Sequence, residues 1–195
     1  MARAILRIAI MLLLVFCPSR ATSSTKIPII LDTDIGTDVD DAFALALILR
    51  SPELELLAVT TVAGDTQARA RLAAKMLWEA GRPNIPVAAG EPGPSQPIDQ
   101  TRWADGFTAP PLTSDKAVNL MKREIERRPG ELTLVAIGEL TNVAALLKSD
   151  PSIGKKIKRL VLMGGAIAHG YGQDLQPVAE WNIKSNPAAA QAVFA

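Results

Sequence analysis

The stretch LDTDIGTDVDD, residues 31–41, places five aspartates between two apolar segments. Residues 27–31 before it are mostly β-branched and apolar, which is typical of a buried strand. Residues 42–49 after it are almost wholly apolar and predict a buried helix. The carboxylates therefore lie in a strand-to-helix loop at the carboxyl end of a strand. That edge is where open parallel α/β sheets bind ligands.

Five carboxylates in so short a loop predict a bound cation. Neighbouring carboxylates resist ionising together, and a divalent cation among them reverses this effect. Oxygen ligands select hard cations, so Ca²⁺ or Mg²⁺ is expected rather than a softer metal. The alternative is an acidic surface loop in which Asp40 is a helix N-cap. A cap needs a single aspartate, however, and this stretch offers five.

The composition fits one α/β domain and excludes a nucleic-acid binder. The chain has 195 residues, of which 48% are hydrophobic and 21% charged, enough for a substantial core. A net charge of +1 gives no broad basic field for nucleic acid. Residues 1–21 have the features of a secretory signal: Arg3 and Arg7 precede a short apolar run, and small residues follow. We therefore expect an exported protein, without a stable membrane span after signal removal, whose domain covers residues 27–195. A membrane anchor is the alternative for residues 1–21.

Apolar strands alternate with helices along the chain, which predicts an α/β fold with a parallel, Rossmann-like sheet flanked by helices. Five strands are expected at 27–31, 54–62, 85–89, 132–137 and 158–163. Five helices are expected at 41–50, 67–80, 115–128, 141–150 and from 187 onward, with Asp115 and Thr141 as N-caps. Residues 90–112 are rich in Pro and Gly. They predict either a flap over the site or a plain surface loop.

Five short motifs together resemble the nucleoside hydrolase family of the inosine–uridine-preferring type. They are DTDxG with DDA (32–36, 40–42), TTVxG (60–64), GxLTN (138–142), LMGG (162–165) and AEWN (179–182). The resemblance implies a parallel α/β core and a tightly bound Ca²⁺. It also implies hydrolysis of the N-glycosidic bond of ribonucleosides to free base and ribose. A small-molecule nucleoside is then the partner, and the family often forms homo-oligomers.

The resemblance also assigns roles to single residues. Asp34 resembles the carboxylate that contacts Ca²⁺ and takes a proton from the calcium-bound water. Asp41 resembles a bidentate Ca²⁺ ligand, and Ile137 stands where the family directs a backbone carbonyl at the metal. The expected sugar-binding residues are Asp40, Asp65, Glu180 and Asn182. For Glu180 and Asn182 the alternative is the outward face of a strand.

The sequence departs from the family pattern at two places that bear on the expected residue roles and activity. The acidic motif carries two more residues than the commonest family pattern, so whether Asp38 or Asp40 matches the sugar-binding acid stays open. The chain stops before the segment where family members carry another metal-binding Asp and often a His that protonates the leaving base. We therefore expect a domain incomplete at its C-terminus, and poor hydrolysis by this chain alone. His169, the only histidine, is expected to have a solvent or structural role. Purine or pyrimidine preference stays open.

Two other functions remain as alternatives. Haloacid dehalogenase-like phosphatases, which use Mg²⁺, also carry two aspartates separated by one residue after an apolar strand. Gly36 here occupies a position where that motif prefers Thr or Val, and the pair Asp40–Asp41 is foreign to it. The second alternative is a catalytically inactive homologue that binds metal or ribosides without turnover.

Overall fold

Six parallel strands form one sheet in the computed structural model, which describes residues 25–94, 96–168, 170 and 176–195. The sheet order is β4-β3-β2-β1-β5-β6. The strands are β1 Ile27–Thr33, β2 Leu54–Thr61, β3 Val87–Ala89, β4 Leu112–Lys116, β5 Thr133–Ala136 and β6 Arg159–Leu162. The signal peptide predicted at residues 1–21 and the residue His169 lie outside the described part of the chain.

Helices connect the strands and cover both faces of the sheet, so the predicted α/β class is confirmed. The α-helices are α1 Asp40–Arg50, α2 Thr66–Glu79, α3 Ala117–Arg127, α4 Thr141–Ser149, α5 Trp181–Ser185 and α6 Pro187–Phe194. Two 3₁₀ turns, Asp99–Ala104 and Ile153–Lys156, lie in the longer connections. Within the described ranges, no helix is both long and apolar enough to cross a membrane.

Each face of the sheet carries its own apolar core. Successive side chains of a strand point to opposite faces, so Ile30 and Leu31 of β1 enter different cores. One core includes Leu120, Leu134 and Leu146 and packs α3 and α4 on the sheet. The other core includes Leu45, Leu72 and Leu77 and packs α1 and α2. Because β1 is covered on both faces, its apolar run does not alternate with polar residues.

The structure corrects the sequence prediction at β4. Asp115 is not a helix cap; it lies in β4, and helix α3 begins at Ala117 after Lys116. β4 is an edge strand that pairs only with β3 within the described sheet. Its sequence, LTSDK, is polar because one side of the strand lacks a neighbour. A polar edge strand therefore has the composition of the loop predicted there.

Two other predicted caps also differ from the observed ones. The N-cap position of α1 is Val39 and not Asp40, and among the described residues no side chain caps that helix. The N-cap position of α4 is Leu140, while Thr141 donates its hydroxyl hydrogen to Glu139 Oε1. The acidic loop is therefore not explained by helix capping, since none of its aspartates performs that task.

A crevice forms where the strand order reverses. From β1 the chain continues outward through β2, β3 and β4, and then crosses to the opposite side of β1 for β5 and β6. The loops after β1 and β5 therefore start side by side and lead to helices on opposite faces of the sheet. In a doubly wound sheet this switch point is where ligands bind.

Candidate functional site

A cavity of about 500 Å³ opens at the switch point, and we name it the acidic cavity. The loop after β1 and the start of α1 contribute one wall, and the loops after β5 and β6 with helix α5 contribute the other. Its lining residues are Asp34, Thr37, Asp38, Asp40, Asp41, Ile137, Met163, Glu180, Trp181 and Asn182. The structure thus gathers all the predicted site residues except one.

The exception is Asp65. This residue occupies the N-cap position of α2, where its carboxylate accepts a hydrogen bond from Ala68 N at 2.9 Å. It lines a separate cavity of about 260 Å³ together with residues such as Gly90 and Lys116. The structure does not bring Asp65 into the acidic cavity, because its carboxylate caps a helix at the carboxyl end of β2.

Side-chain hydrogen bonds fold the acidic loop back onto the end of β1. Thr33 donates its hydroxyl hydrogen to Asp41 Oδ1, and the same hydroxyl oxygen accepts from Ile35 N at 3.1 Å. Gly36 has φ +114°, a conformation that side-chain-bearing residues rarely adopt. The turn at Gly36 brings Asp41, eight residues from Thr33, back to the strand end. Asp41 is only 8% exposed as a result.

Burial raises the pKa values of three carboxyl groups at this site. Burial raises the pKa of Asp41 to about 7, and the nearby charges of Asp34 and Asp40 add to the rise. The pKa of Asp32 also rises to about 7, because this side chain is fully buried. Burial raises the pKa of Asp34 too, while the charge of Arg69 opposes the rise. These groups hold negative charge only at a free-energy cost, which a bound cation would offset.

Asp32, two residues before Asp34, has hydrogen-bond partners on only one of its two carboxylate oxygens among the described residues. Its Oδ1 accepts hydrogen bonds from Thr60 Oγ1 at 2.7 Å and Asn142 Nδ2 at 2.8 Å. Its Oδ2 is buried without a hydrogen-bond partner in the described part of the chain. Buried polar atoms in folded proteins are nearly always paired. An unpaired carboxylate oxygen therefore marks this strand end as a place where a further group would bind favourably.

Helix α5 holds the opposite wall through Glu180 and Asn182. Glu180 is the N-cap of α5, and its carboxylate accepts from Asn182 N, Ile183 N and Gly165 N at 3.0–3.1 Å. Asn182 Nδ2 donates to Ile137 O at 2.8 Å and Met163 O at 3.1 Å. Neither residue lies on a strand, so the strand-face alternative is wrong. Both residues tie the loops after β5 and β6 to α5.

A glycine permits the two walls to meet. A Cβ atom on Gly138, directly after Ile137, would lie 2.8 Å from Asp34 Oδ1 and 3.0 Å from Asp34 N. Such distances are shorter than real Cβ contacts. The loop after β5 therefore approaches the carboxylate of Asp34 as closely as the backbone allows, and this contact sets one boundary of the cavity.

The residues present fit a hard divalent cation. Asp34 and Asp41 supply carboxylate oxygens, and Ile137 supplies a carbonyl that keeps a lone pair beyond the one Asn182 uses. The buried charge and the unpaired oxygen of Asp32 favour a positive group nearby. Among the described residues, no three or more His, Cys, Asp or Glu side chains group closely enough to hold a metal. The predicted ligands include only two such side chains, Asp34 and Asp41, because the third ligand is the backbone carbonyl of Ile137.

Sequence reasoning missed two residues that support the site, Arg69 and Asn142. Arg69 is 0% exposed and hydrogen-bonds to the acidic loop. The sequence contains one indication of Arg69: this basic residue stands three positions before Leu72, and so on the apolar face of the predicted helix. Asn142 appears in the motif GxLTN, but a motif does not reveal that its amide reaches Asp32 across the sheet.

The segment 90–112 lies behind the acidic loop. None of its described residues lines the acidic cavity. Instead, Gln100 N donates to Gly36 O at 3.3 Å, and Gln100 Nε2 donates to Thr37 O at 3.2 Å. The described part of this segment therefore supports the loop from outside, and the predicted flap over the site is not what the structure shows.

Comparison with known proteins places these features in one family. Residues 29–195 match the family model described as inosine-uridine preferring nucleoside hydrolase. A curated relative, the pyrimidine-specific ribonucleoside hydrolase RihA of Salmonella enteritidis PT4, is 40% identical over 181 residues. That alignment covers 86% of this chain and 57% of RihA, so the chain spans little more than half the length of this relative.

Two solved structures share the fold. The plant nucleoside hydrolase PpNRh1 superposes with a TM-score of 0.73 at 32% identity, covering 86% of this chain and 56% of that one. The purine-preferring ribonucleoside hydrolase from Gardnerella vaginalis superposes with a TM-score of 0.72 at 30% identity, covering 86% of this chain and 57% of that one. The similar proteins thus include both pyrimidine-specific and purine-preferring enzymes.

Proposed function

This chain belongs to the inosine-uridine preferring nucleoside hydrolase family, and from that premise we propose that the protein hydrolyses the N-glycosidic bond of ribonucleosides. The oxygen of water bonds to the anomeric carbon of ribose and one water proton passes to a carboxylate of the protein, while the base leaves with the electron pair of the broken C–N bond and takes up a proton. The observation that carries the proposal is the acidic cavity. It places Asp34, Asp40 and Asp41 opposite Glu180 and Asn182 at the switch point of the sheet.

Asp34 is the proposed general base. It lines the cavity, it is half-buried, and burial raises its pKa toward the range where a carboxylate accepts a proton effectively. Cleavage of a glycosidic bond builds positive charge on the sugar ring. The carboxylates around the cavity would stabilise that charge, since they are fixed by the fold before the reaction begins.

The family is metal-dependent, and we propose Ca²⁺ as the ion. Asp34, Asp41 and the carbonyl of Ile137 would hold it, because all three residues line the acidic cavity and carry hard oxygen atoms. A bound divalent cation lowers the pKa of water and so makes it a better nucleophile at neutral pH. Asp34 remains necessary as the acceptor of the water proton.

The ribose would bind between the two walls of the cavity. Asp40 is exposed on the loop side and is free to accept hydrogen bonds from ribose hydroxyls. The carboxylate of Glu180 accepts three backbone hydrogen bonds, which leaves it capacity for one more donor. Asn182 is fixed by its bonds to Ile137 and Met163. Because these groups recognise the sugar, they leave the base unselected.

Export is part of the same proposal. Residues 1–21 combine Arg3 and Arg7 with a short apolar run and small residues before position 22. These features are those of a secretory signal. An exported enzyme would meet nucleosides outside the cytoplasm, where Ca²⁺ is more abundant than inside cells.

Base release is the direct test. Protein produced from its full reading frame is given uridine or inosine with Ca²⁺ or with a chelator, and free base is measured. We expect metal-dependent base release that falls about 10²- to 10⁴-fold in Asp34→Asn, the usual contribution of a general base. Asp105→Asn, at an exposed position outside the acidic cavity, is the matched control and should match wild type.

The same assay separates the alternatives. Release of phosphate from a phosphate ester without base release would support the phosphatase alternative and contradict the proposal. Binding of Ca²⁺ and nucleoside without base release from the full reading frame would support the inactive homologue.

A further inference from the structure

Arg69 of α2 is the largest fully buried side chain among the described residues, and it is 0% exposed. A buried guanidinium is costly unless its donors are satisfied. The side chain runs from α2 to the back of the acidic loop, on the side away from the cavity. It does not line the acidic cavity and so does not contact a ligand there.

Every nitrogen of the guanidinium group has an acceptor. Nε donates to one carbonyl after β2, Nη1 donates to three acceptors of the acidic loop, and Nη2 donates to the segment 90–112. The acceptors are Ala63 O (2.8 Å), Asp34 O, Ile35 O (3.0 Å), Thr37 Oγ1 (3.0 Å) and Gln96 Oε1 (3.2 Å). One side chain therefore joins three separate segments of the chain, two of them through backbone carbonyls and the third through the side chain of Gln96.

These bonds replace the regular hydrogen bonds that the acidic loop lacks. Asp34 and Ile35 belong to neither β1 nor α1, and among the described residues no backbone N–H donates to their carbonyls. Buried backbone carbonyls need partners, and Arg69 provides them at Asp34 and Ile35. The planar fork of an arginine can reach several carbonyls at once, which a lysine cannot.

The loop that Arg69 holds is the one that carries the proposed base. The guanidinium fixes the backbone of Asp34 from behind, while Gly138 limits its carboxylate from the cavity side. Gly36, with φ +114°, is packed against Thr101 and Leu72, so the loop has little room to relax in another direction. The position of Asp34 is therefore set by contacts on opposite sides.

We propose that Arg69 is a positioning residue, which holds the backbone of residues 34–37 so that the carboxylates of Asp34 and Asp41 meet in the acidic cavity. Arg69 acts through these carboxylates and touches neither water nor nucleoside. The kinetic part of this inference rests on the proposed function; the effect on cation binding does not.

The test uses Arg69→Met, with Arg71→Met as the matched control on the same helix. Arg71 is partly exposed and makes no hydrogen bond or ion pair within the described residues. A misplacement of about 1 Å in a catalytic group costs about 10²-fold in rate. We expect Arg69→Met to lower kcat about 10²-fold and to weaken Ca²⁺ binding at least 10-fold, with KM for the nucleoside changed less than about 3-fold. Arg71→Met should match wild type.

Gln96→Ala keeps the inference testable if Arg69→Met does not fold. Gln96 lies outside the acidic cavity, and its side chain accepts a hydrogen bond from Nη2 of the guanidinium, so the variant removes one contact of Arg69 without changing a residue that lines the site. We expect it to weaken Ca²⁺ binding and lower kcat by about 3- to 10-fold, with an unchanged melting temperature.

The outcomes are distinguishable from failure of the proposed function. If wild type binds Ca²⁺ but releases no base, the proposed function fails, and the calorimetric comparison still decides the role of Arg69. If Arg69→Met folds and binds Ca²⁺ like wild type, with unchanged kcat per folded molecule, the positioning role is wrong. A fall in melting temperature alone would show that Arg69 stabilises the fold without positioning the carboxylates. If Arg69→Met does not fold, Ca²⁺ affinity and kcat of Gln96→Ala equal to those of wild type would likewise overturn the inference.

Discussion

Buried carboxylates at the end of β1 oppose folding when they are charged. Burial removes Asp32 and Asp41 from water and raises the pKa of each from an ordinary 3.8 to about 7 in the folded protein. The folded state therefore binds more protons than the unfolded state between these two values. The free energy of unfolding must fall as the pH rises through that window.

The fall in unfolding free energy with rising pH leads to a prediction for the metal-free protein. In the presence of a chelator, the melting temperature should decrease from about pH 5 to about pH 7 and level off above that. Added Ca²⁺ should reverse the loss more strongly at the upper end, since the cation competes with protons for the same oxygens. Differential scanning calorimetry with and without Ca²⁺ measures both effects.

Asp41→Asn is the control for the pH prediction. The amide does not titrate, so the variant should show a shallower decrease over the same pH range. A melting temperature that rises from pH 5 to pH 7 in the chelated wild type would contradict the pKa shifts. So would an identical slope in wild type and variant.

At the scale of elements, the site depends on how closely the loops after β1 and β5 approach. Gly138 allows this contact, because a Cβ there would lie 2.8 Å from both Asp34 Oδ1 and Val62 Cγ1. The same Cβ would lie 3.0 Å from the backbone nitrogen of Asp34, directly after β1, and β1 is hydrogen-bonded on both sides by β2 and β5. Adding a single methyl group at position 138 should therefore disturb the contact between the loops after β1 and β5.

Gly138→Ala should displace the carboxylate of Asp34. We expect a loss of about 1–3 kcal/mol in the free energy of unfolding, the usual cost of overpacking, together with weaker Ca²⁺ binding. Gly154→Ala is the matched control, because its Cβ would meet Leu147 Cδ2 at an ordinary 3.4 Å. Its effect should stay within about 0.5 kcal/mol. Urea denaturation of both variants is the measurement, and equal stabilities would refute the close approach.

The elements that the sequence predicted correctly are those with a strong apolar pattern. The strands around residues 27–33 and 54–61 and the helix at 66–79 were found within two residues of their observed bounds, because each buries an apolar face. β4 was missed because an edge strand needs few apolar residues. The helix at 181–185 was missed as well, since one turn is too short to show a period.

At the scale of the whole molecule, the site joins residues that are far apart in sequence. Asn142 reaches Asp32, and Asn182 reaches Ile137, across neighbouring strands. The motifs predicted which residues matter, but not that the strand order reverses between β1 and β5. That order arises from packing on both faces of the sheet. No pattern within a single segment encodes it.

The unknown strand order also explains why the sequence analysis wrongly added Asp65 to the site. The other residues predicted there include Asp34, Asp40, Asp41 and Asn182. All follow strands of a parallel sheet, so all are expected at its carboxyl edge. Asp65, however, follows β2, which lies on the far side of β1 from β5. Which part of the edge a residue occupies depends on the strand order. That order was unknown before the structure.

Calorimetric titration of Ca²⁺ into the chelator-treated protein measures directly whether the acidic cavity binds a cation. We expect heat from one Ca²⁺ per chain above pH 7 and strongly weakened binding in Asp41→Asn. Asp105→Asn should bind like wild type, because that residue lies outside the acidic cavity. Absence of Ca²⁺ binding in wild type, or equal affinity in wild type and Asp41→Asn, would contradict the claim that the acidic cavity is a cation site.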